Sequence, residues 1–429
     1  MPAQTSPRRT HRRVSTPSAT PVTPTPPATA TSPPTSAGAH IGPLDGLRGV
    51  AVAAVLLFHA GNFGGGFLGV DLFFVLSGYL ITGLLLKEAA ARNGRIDLVA
   101  FWGRRARRLL PALAAMVSGT LLSVWAFGSP ALLRNALDDG PWVVANLANW
   151  HFIADRMGYW NSGDTRVFSH LWSIAVEEQF YLFWPLLLVL AARGGHAGRN
   201  VAVVAATGAL ASLALMLRLA DPIDSTRVYE GTDTRAFSLL LGALMVTGPA
   251  TRAVARLGER PAGWISLALV CGIGTYWVLA DGEDSPSLFQ GGMFLHALAA
   301  AVLVSCLTRA PGSPVGRVLG CAAARWTGLI SYSLYLWHWP IYLLLDEDRL
   351  GFAGWGRTAV IVVVSVAAAV LSKLLVEDPI RFRARWARGR TGAVALVATF
   401  AAMAVLWAVV PEPHSGADSV DVTQLTDGS

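Results

Sequence analysis

About eleven apolar stretches recur along this 429-residue chain, at roughly 44–61, 68–86, 109–127, 171–192, 201–219, 235–249, 262–280, 291–308, 326–345, 357–376 and 392–410. Most approach the roughly 20 residues that a helix needs to cross about 30 Å of hydrocarbon. A helix also satisfies its own backbone donors and acceptors in lipid, which a lone strand cannot do. The pattern therefore predicts an all-α fold: a polytopic integral membrane helical bundle of about ten core transmembrane helices plus an eleventh, C-terminal one. A content of 53% hydrophobic and 14% charged residues fits one integrated membrane body, not a string of soluble domains. The first and sixth stretches are short for spans, and the first runs into the glycine-rich GNFGGGF, so a helix could dip or break there.

The arginines sit in alternate loops. With the amino terminus inside, the cytoplasmic loops hold Lys87, Arg92, Arg95, Arg104, Arg105, Arg107 and Arg108, then Arg193 and Arg199, Arg252 to Arg260, Arg309 to Arg325, and Arg381 to Arg390. The opposite loops hold Asp138 and Asp139, Asp221 and Asp224, Asp281 to Asp284, and Asp346 to Asp348. This alternation predicts a multi-pass plasma-membrane protein with a cytoplasmic amino terminus and an extracytoplasmic carboxyl terminus. It also accounts for the net charge of +7 without nucleic acid, which would need a gathered basic patch.

The expected divisions are a disordered, Pro/Thr-rich cytoplasmic tail over 1–39, a transmembrane domain over 40–382, the extra helix over 391–411 and an extracytoplasmic tail over 412–429. The first tail has a basic cluster but no apolar h-region, so it does not read as a signal peptide. Cys271, Cys306 and Cys321 are odd in number and far apart, offering neither a disulfide framework nor metal-ligand spacing; no metal site is expected. Trp142, Trp150 and Trp160, in the long loop over 128–170, read as interfacial anchors.

Arg48 and His59 share the first stretch, LDGLRGVAVAAVLLFHAGN. Eleven residues at about 100° each return to the same helix face about 16 Å further along the axis. Both groups are costly to place in lipid, which predicts that they face the protein interior. The plainer reading of Arg48 is a snorkelling residue paired with Asp45; the chemical one is a planar fork that holds an anionic phosphate. His59 is either a hydrogen-bonded bundle residue or a general base that takes a hydroxyl proton, with a transient acyl-imidazole also chemically open.

In GVDLFFVLSGYLITGLLL, Asp71 reads as a helix cap and Ser77–Gly78 as a close-packing site. SHLWSIAVEEQFYLFWPL sets Glu177 and Glu178 inside the fourth stretch, where a carboxylate is a functional candidate; Glu177 shares a face with Ser173 and is preferred. The arginines of FWGRRARRLLPAL suit topology alone or a phosphate-binding cluster. Arg235 enters the sixth stretch from the acidic side, against the topological trend. His338 stands between Trp337 and Trp339, just before Pro340, with a kink and aromatic packing as its plainer account.

Together these segments resemble the acyltransferase family 3 membrane proteins. The matching elements, in the family's order, are LDGLRG with Arg48 and His59, GVDLFFVLSGYLIT, FWGRRARRLLPAL, LWSIAVEEQFYLFWPL, GTDTRAFSLLLGALM, SLYLWHWP and VEDPIRF, spanning about 44–382. The resemblance implies an O-acyltransferase that moves an acyl group, commonly acetyl, to a hydroxyl of a cell-envelope carbohydrate; in some relatives the acceptor is a macrolide or another secondary-metabolite sugar. It implies cytoplasmic acyl-CoA (acetyl-CoA) as donor cosubstrate, with no permanently bound cofactor. Catalysis would fall to Arg48, His59 and Glu177 (or Glu178), and donor binding to Arg48, Arg104, Arg105 and Arg108. Glu178, Arg235 and His338 are the remaining candidates for substrate contacts.

Members with an eleventh helix often continue into an SGNH-type domain. The short acidic tail here implies a separate SGNH-type partner or an acceptor small enough to enter the bundle. The expected partners are therefore acyl-CoA, membrane lipid and a hydroxylated glycan or glycosylated small molecule. The rival class is a secondary transporter or flippase of glycan or lipid, which many helices and intramembrane charges also suit. Neither a GxxxxGK[ST] phosphate loop nor a GxSxG elbow occurs.

Overall fold

The computed structural model describes residues 41–156, 166–193, 196–221, 223–282 and 285–413. The 1–39 tail, Trp160 and most of the 412–429 tail lie outside them. Among the described residues no strand occurs. The helices are α1 (Gly42–His59), α2 (Gly69–Ala91), α3 (Leu98–Phe127), α4 (Pro130–Val144), α5 (Ala148–Asp155), α6 (Trp172–Ala192), α7 (Ala197–Leu219), α8 (Thr226–Glu230), α9 (Thr232–Met245), α10 (Gly248–Ala255), α11 (Glu259–Leu279), α12 (Gly292–Arg309), α13 (Pro314–Leu319), α14 (Ala322–Leu344), α15 (Glu347–Leu350), α16 (Gly354–Ser372) and α17 (Gly389–Val409).

Nine helices of the described residues are long and apolar enough to cross a membrane: α1, α2 with its leading turn, α3, α6, α7, α11, α12, α16 with its π-helical extension, and α17. The chain is thus an all-α, multi-pass membrane bundle. Of the two short stretches, the sixth is the one that breaks, since α8–α9 and α10 meet at 61°. α1 runs unbroken to His59, and the chain reverses through Gly61 at φ +71°. α14 has 23 residues but is not among the nine. It buries Ser331, Ser333, Tyr335 and His338 against α1 and α16, where neighbouring helices and not lipid receive its polar side chains.

Small residues set the closest approaches. A Cβ on Gly46 would strike Leu319 O, one on Gly49 Ala324 O, and one on Gly328 Asp45 O, so α1 lies backbone to backbone on α13 and α14. Gly78 and Gly242 do the same for α2 and α9, facing Leu239 O and Val75 O. Backbone atoms cannot swing aside as a flexible side chain can. Gly78→Leu is therefore expected to cost about 3 kcal/mol or more and to leave little monodisperse protein in detergent. Gly103→Ala, with only the far end of Arg107 nearby, should melt within about 1 kcal/mol of the parent.

Helix-interior prolines explain several aromatic contacts. A proline lacks the N–H that would pair with the carbonyl four residues earlier. Pro141 so frees Leu137 O, which accepts from Trp407 Nε1 of α17 at 3.1 Å; Pro185 frees Tyr181 O, which accepts from Trp102 Nε1 at 3.0 Å. Pro340 frees Leu336 O, which lies 3.1 Å from His170 Nε2.

Two expectations are corrected. Asp71 caps nothing: it is fully buried and accepts from Arg235 Nη2 at 2.9 Å and Ser238 Oγ at 2.7 Å, tying α2 to α9. The stretch over 128–170 is not a plain loop, because it contains α4 and α5. There Trp142 stacks on His151 at 5.2 Å and Trp150 lies under the Arg227 guanidinium at 5.2 Å, while both rings stay exposed on their other side.

Asp139 is buried beside these residues, 3.2 Å from His151 Nε2 and 3.7 Å from Arg166 Nη1, while Arg166 Nη2 binds Asp155 at 2.6 Å. Burial pushes the Asp139 carboxyl up from 3.8 to about 7, against the pull of Arg166. The folded state then keeps a proton that the unfolded chain loses near 3.8, so this group's stabilisation is full below that pH. It is lost as pH rises through about 7. Asp139→Asn should gain on the parent steadily as pH rises from about 4 to about 7 and melt several degrees higher near pH 8, when both are followed by tryptophan fluorescence in detergent. Because His151 touches the substituted carboxyl at 3.2 Å, the comparison is repeated in a His151→Gln background, which removes the imidazole's own titration.

Candidate active site

Residues of α1, α2, α3, α6 and α14 enclose a pocket of about 710 Å³, counting its open mouth. The close approach of α1 to α14 brings Arg48 to Ser331, its Nε donating to Oγ at 3.4 Å, with the guanidinium 5.9 Å from the Phe73 ring centre. Arg105 and Arg108, one helical turn apart on α3, line the same pocket; Arg105 lies 5.3 Å over the Tyr181 ring. Among the described residues none of these three guanidiniums forms a salt bridge; Glu177, in the same pocket, and Asp45 act on Arg48 through charge at longer range.

Glu177 and Ser173, a turn apart on α6, both face the pocket. Tyr181 donates to Ser77 Oγ at 2.9 Å, and Ser77 in turn donates to Glu177 Oε1. Ser77 is thus a polar member of the site and not a packing residue. The sequence hid it because a serine beside a glycine in an apolar helix reads first as close packing.

The other candidates lie elsewhere. Arg104 is exposed and pairs with Glu88 at 3.5 Å. Glu178 is outside the pocket lining. Arg235 is fully buried with Asp71 and does not reach the pocket. Of the two residues expected to face the interior, Arg48 lines the pocket, whereas His59, like His338, is outside its lining.

Tyr335 connects the two regions. Its hydroxyl, in the pocket lining, lies 2.7 Å from Ser173 Oγ and donates to His170 O at 2.9 Å. Its ring packs on His338 at 5.4 Å, and its carbonyl sits 2.6 Å from His338 Nδ1. His338 Nε2 then lies 3.0 Å from His59 Nδ1, which is also 3.1 Å from Val55 O. The half-buried His59 ring rests 4.7 Å from that of Trp339, whose Nε1 donates to Arg166 O at 2.9 Å. Among the described residues no group of three or more His, Cys, Asp or Glu could hold a metal ion.

Fold and site together define an integral membrane protein with an arginine-lined pocket inside its helical bundle and a histidine layer behind it. The chain belongs to the acyltransferase 3 family, whose model, described as an acyltransferase domain, matches residues 41–376. It is 38% identical over 352 residues to YrhL of Bacillus subtilis, described provisionally as a peptidoglycan O-acetyltransferase, covering 80% of this chain and 55% of that one. It is 35% identical over 352 residues to the peptidoglycan O-acetyltransferase OatA of Listeria monocytogenes (80% and 56%), and 33% over 348 residues to the O-acetyltransferase OatA of Staphylococcus aureus (79% and 56%). The match therefore spans about half the length of these relatives. No solved structure matches.

Proposed function

We propose that this protein is a membrane O-acyltransferase that moves an acyl group, acetyl in the first instance, from cytoplasmic acyl-CoA to a hydroxyl of a cell-envelope carbohydrate. The observation that carries this reading is the gathering of three guanidiniums, Arg48, Arg105 and Arg108, on one pocket, none of them in a salt bridge among the described residues. A CoA thioester offers phosphates at one end and a long, largely uncharged arm at the other. Arginines suit the first, and the walls formed by Phe73, Phe74 and Ile174 suit the second. The names of the relatives support a glycan acceptor. Loop charge supports a cytoplasmic arginine-rich face, with the amino terminus inside.

On this reading His59 removes the acceptor's hydroxyl proton as the oxygen attacks the thioester carbonyl. The C–O bond forms, the C–S bond breaks, and the imidazolium returns its proton to the departing thiolate. Glu177, fixed by Ser77, balances the arginine charge along the donor arm. Tyr335 lies between pocket and histidine and has to turn aside for the two substrates to meet.

The test is purified protein in liposomes with labelled acetyl-CoA and soluble glycan fragments. Arg48→Ala, which removes charge-assisted hydrogen bonds worth about 1.5–3 kcal/mol, should raise the donor KM roughly 10- to 150-fold. A parent protein that moved glycan across the bilayer and left every CoA thioester intact would favour the flippase.

A further inference from the structure

We infer that His338 is a positioning residue for His59: its Nε2 accepts the His59 Nδ1–H, which leaves Nε2 of His59 as the nitrogen that takes the acceptor's proton. This inference rests on the acyl-transfer reading above and adds to it a partner for the base.

The assignment follows from what each nitrogen faces. His338 Nδ1 is 2.6 Å from Tyr335 O, and a carbonyl oxygen can only accept, so that nitrogen carries the hydrogen. The neutral ring then has its lone pair on Nε2, 3.0 Å from His59 Nδ1. The second neighbour of His59 Nδ1 is also an acceptor, Val55 O at 3.1 Å. With acceptors on both sides, His59 Nδ1 holds the proton and Nε2 holds the lone pair.

The two acceptors are not equivalent. Val55 O lies four residues before His59 on the same helix and already takes that helix's backbone N–H, so it has only a share to offer. His338 Nε2 comes from α14, a different helix, and lies 3.0 Å from the His59 ring. It therefore fixes the ring's rotation as well as its tautomer. When His59 takes a proton it becomes a charged donor, and its bond to His338 strengthens. This is the part that a buried carboxylate plays in a serine triad, performed here by a neutral ring.

His338 is itself held in place. Its own turn of α14 supplies Tyr335 O, Pro340 follows two residues later, and His170 fills the carbonyl that Pro340 leaves open at Leu336. The His338 and His170 rings meet edge to face at 5.4 Å. An imidazole that served only for packing would not need its lone pair aimed at another imidazole.

The experiment compares His338→Leu with His338→Gln in full-length protein in liposomes, using labelled acetyl-CoA as donor and soluble glycan fragments as acceptor. Leucine removes the acceptor, whereas glutamine can place an amide oxygen near the former Nε2. His338→Leu is expected to lower kcat about 10- to 100-fold with the donor KM within about twofold of the parent, and His338→Gln to recover kcat to within about fivefold. Thermal melting of the same preparations checks that both variants fold. Equal kcat for His338→Leu and parent, or equal losses in both variants, would overturn the inference. The parent and His59→Ala in the same assay separate the levels: a parent that transfers no acetyl ends the acyl-transfer reading, an active His59→Ala removes both His59 as base and His338 as its partner, and a dead His59→Ala beside a His338→Leu that matches the parent removes the role of His338 alone.

Discussion

With His59 replaced by alanine, acetyl transfer is expected to fall by about 10²- to 10⁴-fold in kcat, the contribution of a well-placed general base, equivalent to roughly 3–5.5 kcal/mol of barrier. The donor KM should hardly move, because His59 is outside the pocket lined by Arg48, Arg105 and Arg108. That split sets the variant apart from Arg48→Ala, whose loss should fall chiefly on donor binding. Both substitutions sit on α1, so helix damage alone would move both parameters in both proteins. Initial rates at several acetyl-CoA concentrations, with glycan acceptor saturating, decide the matter. A His59→Ala protein with the parent's kcat would remove the base from the mechanism.

Much of this architecture is legible in the chain because lipid imposes strict rules on it. Apolar length gives the spans, and depth makes charge costly, which is why Arg48 and Glu177 stand out in the sequence itself. Helix phase also carries information: Ser173 and Glu177 line the same pocket, as a spacing of four requires, and Glu178 does not.

What the sequence leaves dark is contact between helices distant in the chain. Nothing local says that Ser77 meets Glu177 or that His59 meets His338, separated by 100 and 279 positions. The spacing of Arg48 and His59 fixes a shared face but not a shared cavity: Tyr335 lines the pocket with Arg48 and packs its ring on His338, which in turn meets His59. Arg104 misled for a different reason: the positive-inside rule already puts arginines at that helix end, and Glu88 takes this one. The helix-interior prolines held a usable clue. Each marks a carbonyl four residues upstream that needs a donor, and for Pro141, Pro185 and Pro340 an indole or imidazole from another part of the chain answers it.

Asp71→Ala is expected to destabilise the bundle by about 3–5 kcal/mol, as breaking a buried ion pair from one side does. The variant strands the Arg235 guanidinium in an interior where both partners have no solvent exposure. Its remaining surroundings are the rings of Tyr229, Trp172 and Phe74, at 4.9, 5.6 and 6.0 Å, and Met293 Sδ at 3.2 Å from Nη1. Ring faces attract a cation but do not replace a carboxylate that accepts its N–H. The pair is also imperfect, since Asp71 Oδ2 and Arg235 Nε have no hydrogen-bond partner among the described residues. Desolvation of both charges is therefore only partly offset, and removing both together should cost far less than removing either. The double variant Asp71→Leu, Arg235→Met is expected to recover most of the melting temperature lost by Asp71→Ala. Its activity settles what Arg235 is for. If the arginine serves only to join α2 to α9, the double variant transfers acetyl within a few-fold of the parent, because neither residue reaches the pocket. If it folds and melts normally yet transfers nothing, Arg235 contacts the acceptor in a conformation other than this one, and the structural role assigned to the pair is wrong.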